Sequence, residues 1–334
     1  MLRRLFSRKK TPVPPRPVLP DAERLAVGIV GVGHLGQHHV RLLAGIPEAK
    51  LVGITDLNMD RARSLAVQHG TRAFERAEDF LPQVKAVVIA TPTPTHHALA
   101  KKFLQAGHHC FVEKPLTERV AEAEEVIALA RANNLVLQVG HVERFNPAVE
   151  EMIRRAQNPL FIEANRLGPY DPRVAHVSVV LDLMIHDIDI VLAMVKDKVV
   201  KFDAVGAKVF SDQEDIVKVT LHFSRGCRAD LSASRVSLQR FRKIRVFQKD
   251  AYMSLDYSER SLKVYRKKSA VIRNLLDVAV EHPKLEKKDP LESELKHFVQ
   301  CVKDGKPPLV GGEHGRDALE LALEIRRAAQ VHSL

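Results

Sequence analysis

Hydrophobic and polar positions divide the chain into two parts that differ in their spacing. Between residues 23 and 143, short apolar runs alternate with segments whose apolar residues recur every three or four positions, as in buried strands followed by amphipathic helices. The predicted strands are Leu25–Val30, Ala49–Thr55, Ala86–Ala90, His109–Val112 and Leu135–Val139. Helices are predicted near residues 34–45, 59–69, 95–106 and 117–132. The alternation predicts an α/β domain built on a doubly wound parallel sheet with helices on both faces.

After residue 143 most segments alternate between apolar and polar positions, which indicates strands of an antiparallel sheet with one covered face. These strands are predicted near 160–167 and at Lys201–Phe210, Ile216–Phe223, Cys227–Ser234, Lys243–Gln248, Ala251–Leu255 and Ser261–Tyr265. Helices are predicted near residues 147–156, 178–195, 290–304 and 313–331. We therefore predict a second, α+β domain over residues 144–334, with a large, mostly antiparallel open sheet and final helices that return to the first domain. The weakly patterned residues 266–288 are interpreted as a mobile or interface segment.

The first 22 residues fit neither spacing and are interpreted as a disordered leader, because five prolines and six basic residues fall there. The formal net charge of the chain is +11, so these six residues account for more than half of the excess. A nucleic-acid partner is therefore not expected. The leader could touch an anionic membrane surface, but a solvated tail is the simpler interpretation.

Cellular location is predicted from what the sequence lacks. It has no signal-like apolar segment and no run of about 18 apolar residues, so no stable membrane association is expected. Its three cysteines are far apart and match neither a disulfide framework nor the spacing of a metal site. These features predict a cytoplasmic protein without a bound metal.

A glycine loop with the G-x-G-x-x-G spacing, Gly31-Val32-Gly33-His34-Leu35-Gly36, directly follows the first predicted strand. Between a strand and a helix, such glycines let the main chain approach a pyrophosphate at the positive end of the helix. Asp56 ends the next strand, where its carboxylate can accept hydrogen bonds from ribose hydroxyls. We therefore predict that the whole loop binds a dinucleotide rather than forming only a tight turn. The charge of Asp56 favours NAD over NADP, although arginines on the following helix could reach a 2′-phosphate.

Two further loops follow strands of the same predicted sheet. Thr91, Pro92 and His96 lie in a stretch rich in proline and threonine, which predicts either a rigid loop beside the cofactor or simply the start of a helix. The triplet Glu113-Lys114-Pro115 lies at the carboxyl edge of the sheet, where such sheets bind ligands. A lysine there can polarise a carbonyl or stabilise an alkoxide, whereas the alternative is a surface lysine paired with Glu113. Glu113 is also a predicted cofactor contact.

The helix predicted near 178–195 carries three polar residues on one face, because Asp182, His186 and Asp189 have the spacing i, i+4 and i+7. The rest of this helix is largely apolar, so these groups need partners if they are buried. A proton-transfer site and a purely structural His–Asp pair are both compatible with the pattern. A divalent metal site is a third interpretation, which a nicotinamide enzyme does not require.

The glycine loop, the Glu113-Lys114-Pro115 triplet and the Asp182/His186 pair occur in the order and spacing of the glucose–fructose oxidoreductase, inositol dehydrogenase and MocA family, which the chain resembles from about Leu25 onwards. The resemblance implies that Lys114, Asp182 and His186 meet above the nicotinamide of NAD and oxidise a secondary alcohol of a sugar. It implies that His186 is the general base, Lys114 hydrogen-bonds the developing ketone oxygen, and Asp182 orients the substrate or His186, although these roles could be exchanged. It also implies a homodimer or homotetramer formed through the open sheet.

The stretch from His141 to Pro147 is similar to the branch of this family that oxidises the C3 hydroxyl of UDP-N-acetylglucosamine. On that resemblance, we predict that a nucleotide sugar is bound by Arg144, Asn146, Arg166 and Tyr170. The arginines and the tyrosine could instead be ordinary salt-bridge or packing residues. Two alternatives share the same motifs: a polyol or free-sugar dehydrogenase, and a non-catalytic NAD(H)-binding sensor.

Overall fold

The computed structural model describes residues 19–269, 271 and 273–333, so most of the predicted leader lies outside the described residues. The first sheet has six parallel strands: β1 (Leu25–Val30), β2 (Ala49–Thr55), β3 (Arg72–Ala73), β4 (Ala86–Ile89), β5 (His109–Glu113) and β6 (Leu137–Gly140). They lie in the order β3-β2-β1-β4-β5-β6. The direction of winding reverses between β1 and β4, so a ligand crevice is expected at their carboxyl ends. The glycine loop, the Thr91 loop and Lys114 all follow strands at this edge.

Helices cover both faces of the first sheet. They are α1 (Gly36–Leu43), α2 (Met59–His69), α3 (His96–Gln105) and α4 (Val120–Ala132). Apolar residues of α1 and α2 pack on one face, for example Leu43 and Ala62, and those of α3 and α4 pack on the other, for example Phe103 and Val126. The prediction of a doubly wound α/β domain is confirmed.

The second sheet has nine strands, eight of which follow the first sheet directly along the chain. The nine are β7 (Phe161–Leu167), β8 (Val199–Lys208), β9 (Ile216–Phe223), β10 (Arg228–Ser234), β11 (Phe241–Gln248), β12 (Ala251–Asp256), β13 (Ser261–Lys267), β14 (Val278–Glu281) and β15 (Gln330–Ser333). Their order is β14-β13-β12-β11-β7-β10-β9-β8-β15, and only the pairs β7–β10 and β8–β15 are parallel. The predicted open, mostly antiparallel sheet is therefore confirmed.

Four further helices accompany the second sheet: α5 (Pro147–Arg155), α6 (Ile185–Val195), α7 (Pro290–Asp304) and α8 (Gly312–Ala328). One face of the sheet is covered, because alternate residues such as Ile162 and Ala164 pack against Ile188 of α6 and Ala322 of α8 in one buried cluster. In contrast, α7 packs on the first sheet, where Phe298 lies edge-on to Phe111 of β5 with ring centroids 5.8 Å apart. The last helices thus tie the two sheets together.

Three local predictions need correction. The last helix ends at Ala328 rather than near 331, because Ala329 adopts a more extended main chain and the following residues add β15 to the edge of the second sheet. The segment 266–288 includes β14, which pairs with β13, so part of it is sheet. The helix predicted near 178–195 begins with a π-helical turn, Val180–Met184, before α6 starts. Such turns frequently mark functional sites because they change which residues share a face.

No helix among the described residues is long and apolar enough to cross a membrane. The three cysteines, Cys110, Cys227 and Cys301, are buried and unpaired. Burial raises the pKa of each thiol, so none is a reactive thiolate at neutral pH.

Candidate active site

The loop after β1 is shaped by glycines that leave little room for side chains. Gly31 has a φ of +88°, and a Cβ there would lie 2.7 Å from the carbonyl oxygen of Ala90. A Cβ on Gly36 would collide with the carbonyl oxygen of Gly31, so helix α1 can start this close to the strand only without one. His34 and Leu35 are exposed at the loop surface. This cradle at a helix N-terminus fits a dinucleotide pyrophosphate.

Asp56 is held beside the glycine loop by the main chain. Its Oδ2 accepts a hydrogen bond from the amide of Val32 at 2.7 Å, and its Oδ1 accepts one from the amide of Asn58 at 2.8 Å. The carboxylate is therefore fixed at the position where a ribose would lie if the loop binds a pyrophosphate. Arg61 lies near as well, with its Nη1 3.9 Å from the position that a Cβ on Gly33 would occupy.

The loop after β4 is tied to the chain that follows Lys114. The imidazole of His96 is buried, and its two ring nitrogens lie 2.8 Å from the carbonyl oxygen of Thr91 and 2.9 Å from that of Pro115. Because both nitrogens face these carbonyls, the geometry disfavours the predicted direct contact between His96 and the cofactor. His96 instead holds together two loops of the crevice. Thr91 and Pro92 remain accessible and stay predicted cofactor contacts.

Glu113 ends β5 inside the protein rather than at its surface. Its Oε1 lies 2.7 Å from Nε2 of His39, and its Oε2 accepts the amide of Lys114 at 3.2 Å. A Cβ on Gly140 of the neighbouring strand would lie 2.8 Å from the same carboxylate. Glu113 therefore fixes the start of the Lys114 segment, and the alternative of a surface Lys114–Glu113 pair does not match this geometry.

The ammonium of Lys114 crosses from the first sheet to the π-helical turn. Its Nζ donates a hydrogen bond to the main-chain carbonyl of Asp182 at 2.7 Å and lies 3.3 Å from Oδ1 of the same residue. The two side chains are 16% and 25% exposed, so a ligand can still reach them. The charged lysine is thus oriented without being enclosed.

The other two polar residues of the predicted stripe also have partners from the region before α5. The ring of His186 lies edge-on to that of His141, with centroids 6.2 Å apart. Asp189 accepts a hydrogen bond from Arg144 at 3.2 Å, and burial raises the pKa of Asp189 to about 6 despite this arginine. Among the described residues, no group of three or more His, Cys, Asp or Glu side chains is arranged to hold a metal ion.

His186 has the properties of a proton acceptor. Its ring is partly buried, and its Nδ1 has no hydrogen-bond partner within the described parts of the chain. Burial and then the charge of Lys114 lower the pKa of His186 well below its ordinary value, and the same two causes lower the pKa of His141 to about 3. Both rings are therefore neutral at physiological pH, and a neutral imidazole has one nitrogen able to accept a proton.

An open cleft of about 540 Å³ lies between the glycine loop and the second sheet. It is lined by His34, Arg166, Leu167, Gly168, Pro169, Asp171, Val174, Asp182, Leu183, Arg235, Arg240 and Arg242. Four arginines against two aspartates make this cleft basic. Because it contains both His34 and Asp182, the cleft joins the predicted cofactor loop to one predicted catalytic residue, with which Lys114 is paired.

The structure gives the four predicted substrate-binding residues different surroundings. Arg166 lines the cleft, but its guanidinium is held by Asp187 at 2.8 and 3.0 Å and by Glu143 at 2.9 Å. Arg144 is buried against Asp189 and lies outside the lining of this cleft.

Asn146 is a helix cap that accepts the amide of Ala148 at 3.1 Å, so direct substrate contact by Arg144 or Asn146 is disfavoured. Tyr170 packs edge-on against exposed Phe210 next to the cleft and stays a predicted contact.

Sequence reasoning missed Arg240 and Arg242, which line the cleft. The sequence carried no local signal for them, because both precede the strand predicted at Lys243–Gln248 and neither belongs to a motif. His141 belongs to a stretch that resembles the family, but the sequence predicts no role for it. Its contact with His186 joins segments that are distant along the chain.

Two family models match this chain, one in each domain. Residues 25–141 match the family model described as "Oxidoreductase family, NAD-binding Rossmann fold", and residues 163–253 match the GFO/IDH/MocA C-terminal domain. The prediction of an NAD-binding domain is confirmed.

Individual relatives cover almost the whole chain. UDP-N-acetylglucosamine 3-dehydrogenase from Acidithiobacillus ferrooxidans is 36% identical over 92% of this chain and 98% of its own, and its solved structure superposes with a TM-score of 0.86. Myo-inositol 2-dehydrogenase from Thermotoga maritima is 26% identical over 92% of this chain and 96% of its own. With both domains matched, the chain belongs to the GFO/IDH/MocA family of oxidoreductases.

Proposed function

We propose that this protein is an NAD-dependent dehydrogenase that oxidises the C3 hydroxyl of a UDP-N-acetylhexosamine to a ketone. The observation that carries the proposal is the contact of Lys114 with Asp182, which lines a basic cleft that also borders the glycine loop, together with the neutral ring of His186 within the field of the same lysine. The likeness to a UDP-N-acetylglucosamine 3-dehydrogenase at 36% identity supports the same substrate class.

The cofactor would be held by the glycine loop, Asp56 and the Thr91 loop, and bound NAD⁺ supplies the acceptor for the hydride that leaves the alcohol carbon. His186, neutral because its pKa is lowered, takes the proton of the substrate hydroxyl. The ammonium of Lys114 donates a hydrogen bond to the same oxygen and stabilises the negative charge that develops before the C=O bond is complete. Asp182 holds that ammonium in position.

The test is NADH formation by the purified full-length protein with NAD⁺ and a panel of alcohols. We expect turnover with UDP-N-acetylglucosamine and little or none with free N-acetylglucosamine or myo-inositol, because only the first brings phosphates to a basic cleft. Turnover of myo-inositol without turnover of the nucleotide sugar would overturn the proposed substrate in favour of a polyol dehydrogenase. A protein that binds NADH but turns over none of the panel would instead be consistent with a sensor.

We also propose that the uncovered face of the second sheet pairs with another copy of the chain, giving a homodimer or homotetramer. An aromatic ladder supports this, since Phe161, Phe247, Tyr252 and Tyr265 stack across four adjacent strands with successive centroids 4.8–5.7 Å apart. Phe247 is 37% exposed in the single chain, which a partner would cover. A cytoplasmic location stays a prediction.

A further inference from the structure

We propose that Arg240 and Arg242 form the subsite that binds the diphosphate of the substrate, a role that rests on the proposed function. The sequence resemblance pointed to Arg144 and Arg166 for this task. The contacts of the arginines in and near the cleft point instead to Arg240 and Arg242.

The two arginines lie at the start of β11, and both line the cleft. Arg242 is the second residue of β11 and Arg240 immediately precedes the strand, so the two are separated by one residue. In the register of β11 with β7, Arg242 lies directly opposite Arg166. Residues that are opposite each other on neighbouring strands share one face of the sheet. Arg166 faces α6 through Asp187, so Arg242 lies on the same, covered side and reaches the cleft at its end.

The other two arginines of the cleft are already neutralised. Arg166 is paired with Asp187 and Glu143. Arg235 is paired with Asp215 at 3.1 Å and donates to the main-chain carbonyls of Val174 and Glu214. These guanidinium groups shape the wall of the cleft but have few donors left for a ligand.

Arg240 and Arg242 are different, because neither side chain has a hydrogen bond or ion pair with any other described residue. Arg242 is half-buried, and its Nε is enclosed without a partner. Burial and the neighbouring charge of Arg166 lower the pKa of Arg242, so the charged form is held at a cost. An unpaired buried donor of a charged group is expensive, and an anionic ligand would relieve this cost.

The geometry favours a diphosphate over a single carboxylate or a neutral sugar. Two forked guanidinium groups present up to ten N–H donors in fixed planes, which suits the many oxygens of two linked phosphates. Asp182 also lines the cleft, and its carboxylate is paired with Lys114. A diphosphate at the arginines would leave the attached sugar within the same cleft as Asp182. The pyrophosphate of the cofactor is a second possible source of this chemistry, but the N-terminus of α1 is already suited to that ligand.

The experiment is calorimetric titration of UDP into the full-length protein saturated with NADH, with a parallel titration of NADH alone. The variants are Arg240→Gln, Arg242→Gln and the double variant. The matched control is Arg245→Gln on the same strand, since Arg245 lies on the opposite face and pairs with Glu163 at 3.1 Å. We expect each single change in the pair to raise the Kd of UDP about tenfold or more, as for loss of charge-assisted hydrogen bonds. The control should bind UDP like the wild type, and all variants should keep the wild-type Kd for NADH and remain folded at the temperature of the titration.

Three results would overturn the subsite: no UDP binding by the wild type, unchanged UDP binding in Arg240→Gln and Arg242→Gln, or a loss of NADH affinity in place of UDP affinity. The last would assign the arginines to the cofactor. Failure of the proposed function gives a different result. A wild type that binds UDP through both arginines but forms no NADH with UDP-N-acetylglucosamine would support the subsite and contradict the proposed reaction.

Discussion

The Nζ of Lys114 lies 2.7 Å from the main-chain carbonyl oxygen of Asp182, which joins the carboxyl edge of the first sheet to the π-helical turn before α6. The ammonium of Lys114 has three N–H donors. The carbonyl oxygen and Oδ1 of Asp182 can accept two of them. One donor direction is therefore left for a substrate oxygen. The lysine is pre-organised by contacts that do not need a ligand.

Replacing Lys114 by Met keeps much of the side chain's length and removes its charge. We expect kcat/KM to fall about 100- to 1000-fold, as when one donor to a developing oxyanion is removed. The measurement is steady-state NADH formation with the best substrate of the panel. Lys101→Met is the control, because Lys101 also forms a partly exposed ion pair, at 2.6 Å with Glu125, and neither residue lines the cleft. Equal activity of the Lys114 variant and the control would contradict a catalytic role for Lys114.

The pH profile of the reaction depends on the lowered pKa of His186. As the base, His186 must be neutral, and because burial and Lys114 depress its pKa, it stays neutral as the pH falls through 6.5. The ordinary pKa of histidine is about 6.5. We therefore expect kcat/KM to stay constant as the pH falls through this value and to decline only at lower pH. A midpoint at or above 6.5 would contradict the assignment.

Lys114→Met also tests the cause of this shift. Removing the neighbouring positive charge should raise the pKa of His186 toward its ordinary value, although burial, the larger cause, remains. Titration of the histidine ring signals by NMR in both proteins measures this without any need for turnover. An unchanged His186 titration in the variant would mean that the two groups are not electrostatically coupled.

Residues whose role is set by local geometry could be predicted from the sequence, and those set by tertiary neighbours could not. Gly31 and Gly36 were predictable because their spacing between a strand and a helix is itself the requirement. The helix that carries His186 and Asp189 was predictable from helical spacing, but the π-helical turn that carries Asp182 was not. However, nothing within the helix indicated that Arg144 would be the partner of Asp189.

The roles of the arginines show the same limit. Arg166 is a predicted substrate contact, and yet Asp187 and Glu143 occupy its guanidinium. Arg242 lies in an ordinary strand and remains unpaired among the described residues. Which guanidinium is available is decided by carboxylates distant in sequence, so sequence spacing alone could not separate the two. The short strand β15 was missed for a similar reason, because its pairing with β8 overrides the helical pattern before it.

Asp56 is expected to set the preference for NAD. Asp56→Asn keeps one oxygen, which can accept the amide of Val32 or that of Asn58, and removes the charge that repels a 2′-phosphate. We expect the ratio of kcat/KM for NADP⁺ to that for NAD⁺ to rise about tenfold, which corresponds to loss of a repulsion of about 1.4 kcal/mol. The control is Asp60→Asn, an exposed carboxylate nearby that pairs weakly with Arg63 at 3.7 Å. A similar rise in both variants would mean that general charge, rather than the position of Asp56, decides selectivity.

The uncovered face of the second sheet is expected to hold copies of the chain together. Tyr252 lies in the middle of the aromatic ladder, stacked on Phe247 at 4.8 Å and on Tyr265 at 5.1 Å. Tyr252→Lys should therefore shift the protein to a smaller species in analytical ultracentrifugation, because a buried unpaired ammonium is costly at an interface. Lys249→Ala, at an exposed turn beside the same strands, is the control. A wild type that sediments as a monomer would remove the basis of this prediction.

The glycine loop offers a comparison in which backbone strain is held constant. Gly31 and Gly107 have φ values of +88° and +84°, so alanine at either position is strained by about 1–2 kcal/mol. Only at Gly31 would the new Cβ also meet the main chain of Ala90, at 2.7 Å from its oxygen, whereas Gly107 has no atom within 4 Å. We expect Gly31→Ala to lose more stability than Gly107→Ala in thermal melts, and, at a temperature at which both are folded, Gly31→Ala alone to raise the Kd of NADH by about tenfold or more, because the cradle must move. If Gly107→Ala weakened NADH binding equally, the effect would come from general destabilisation, and the loop would not be the cofactor site.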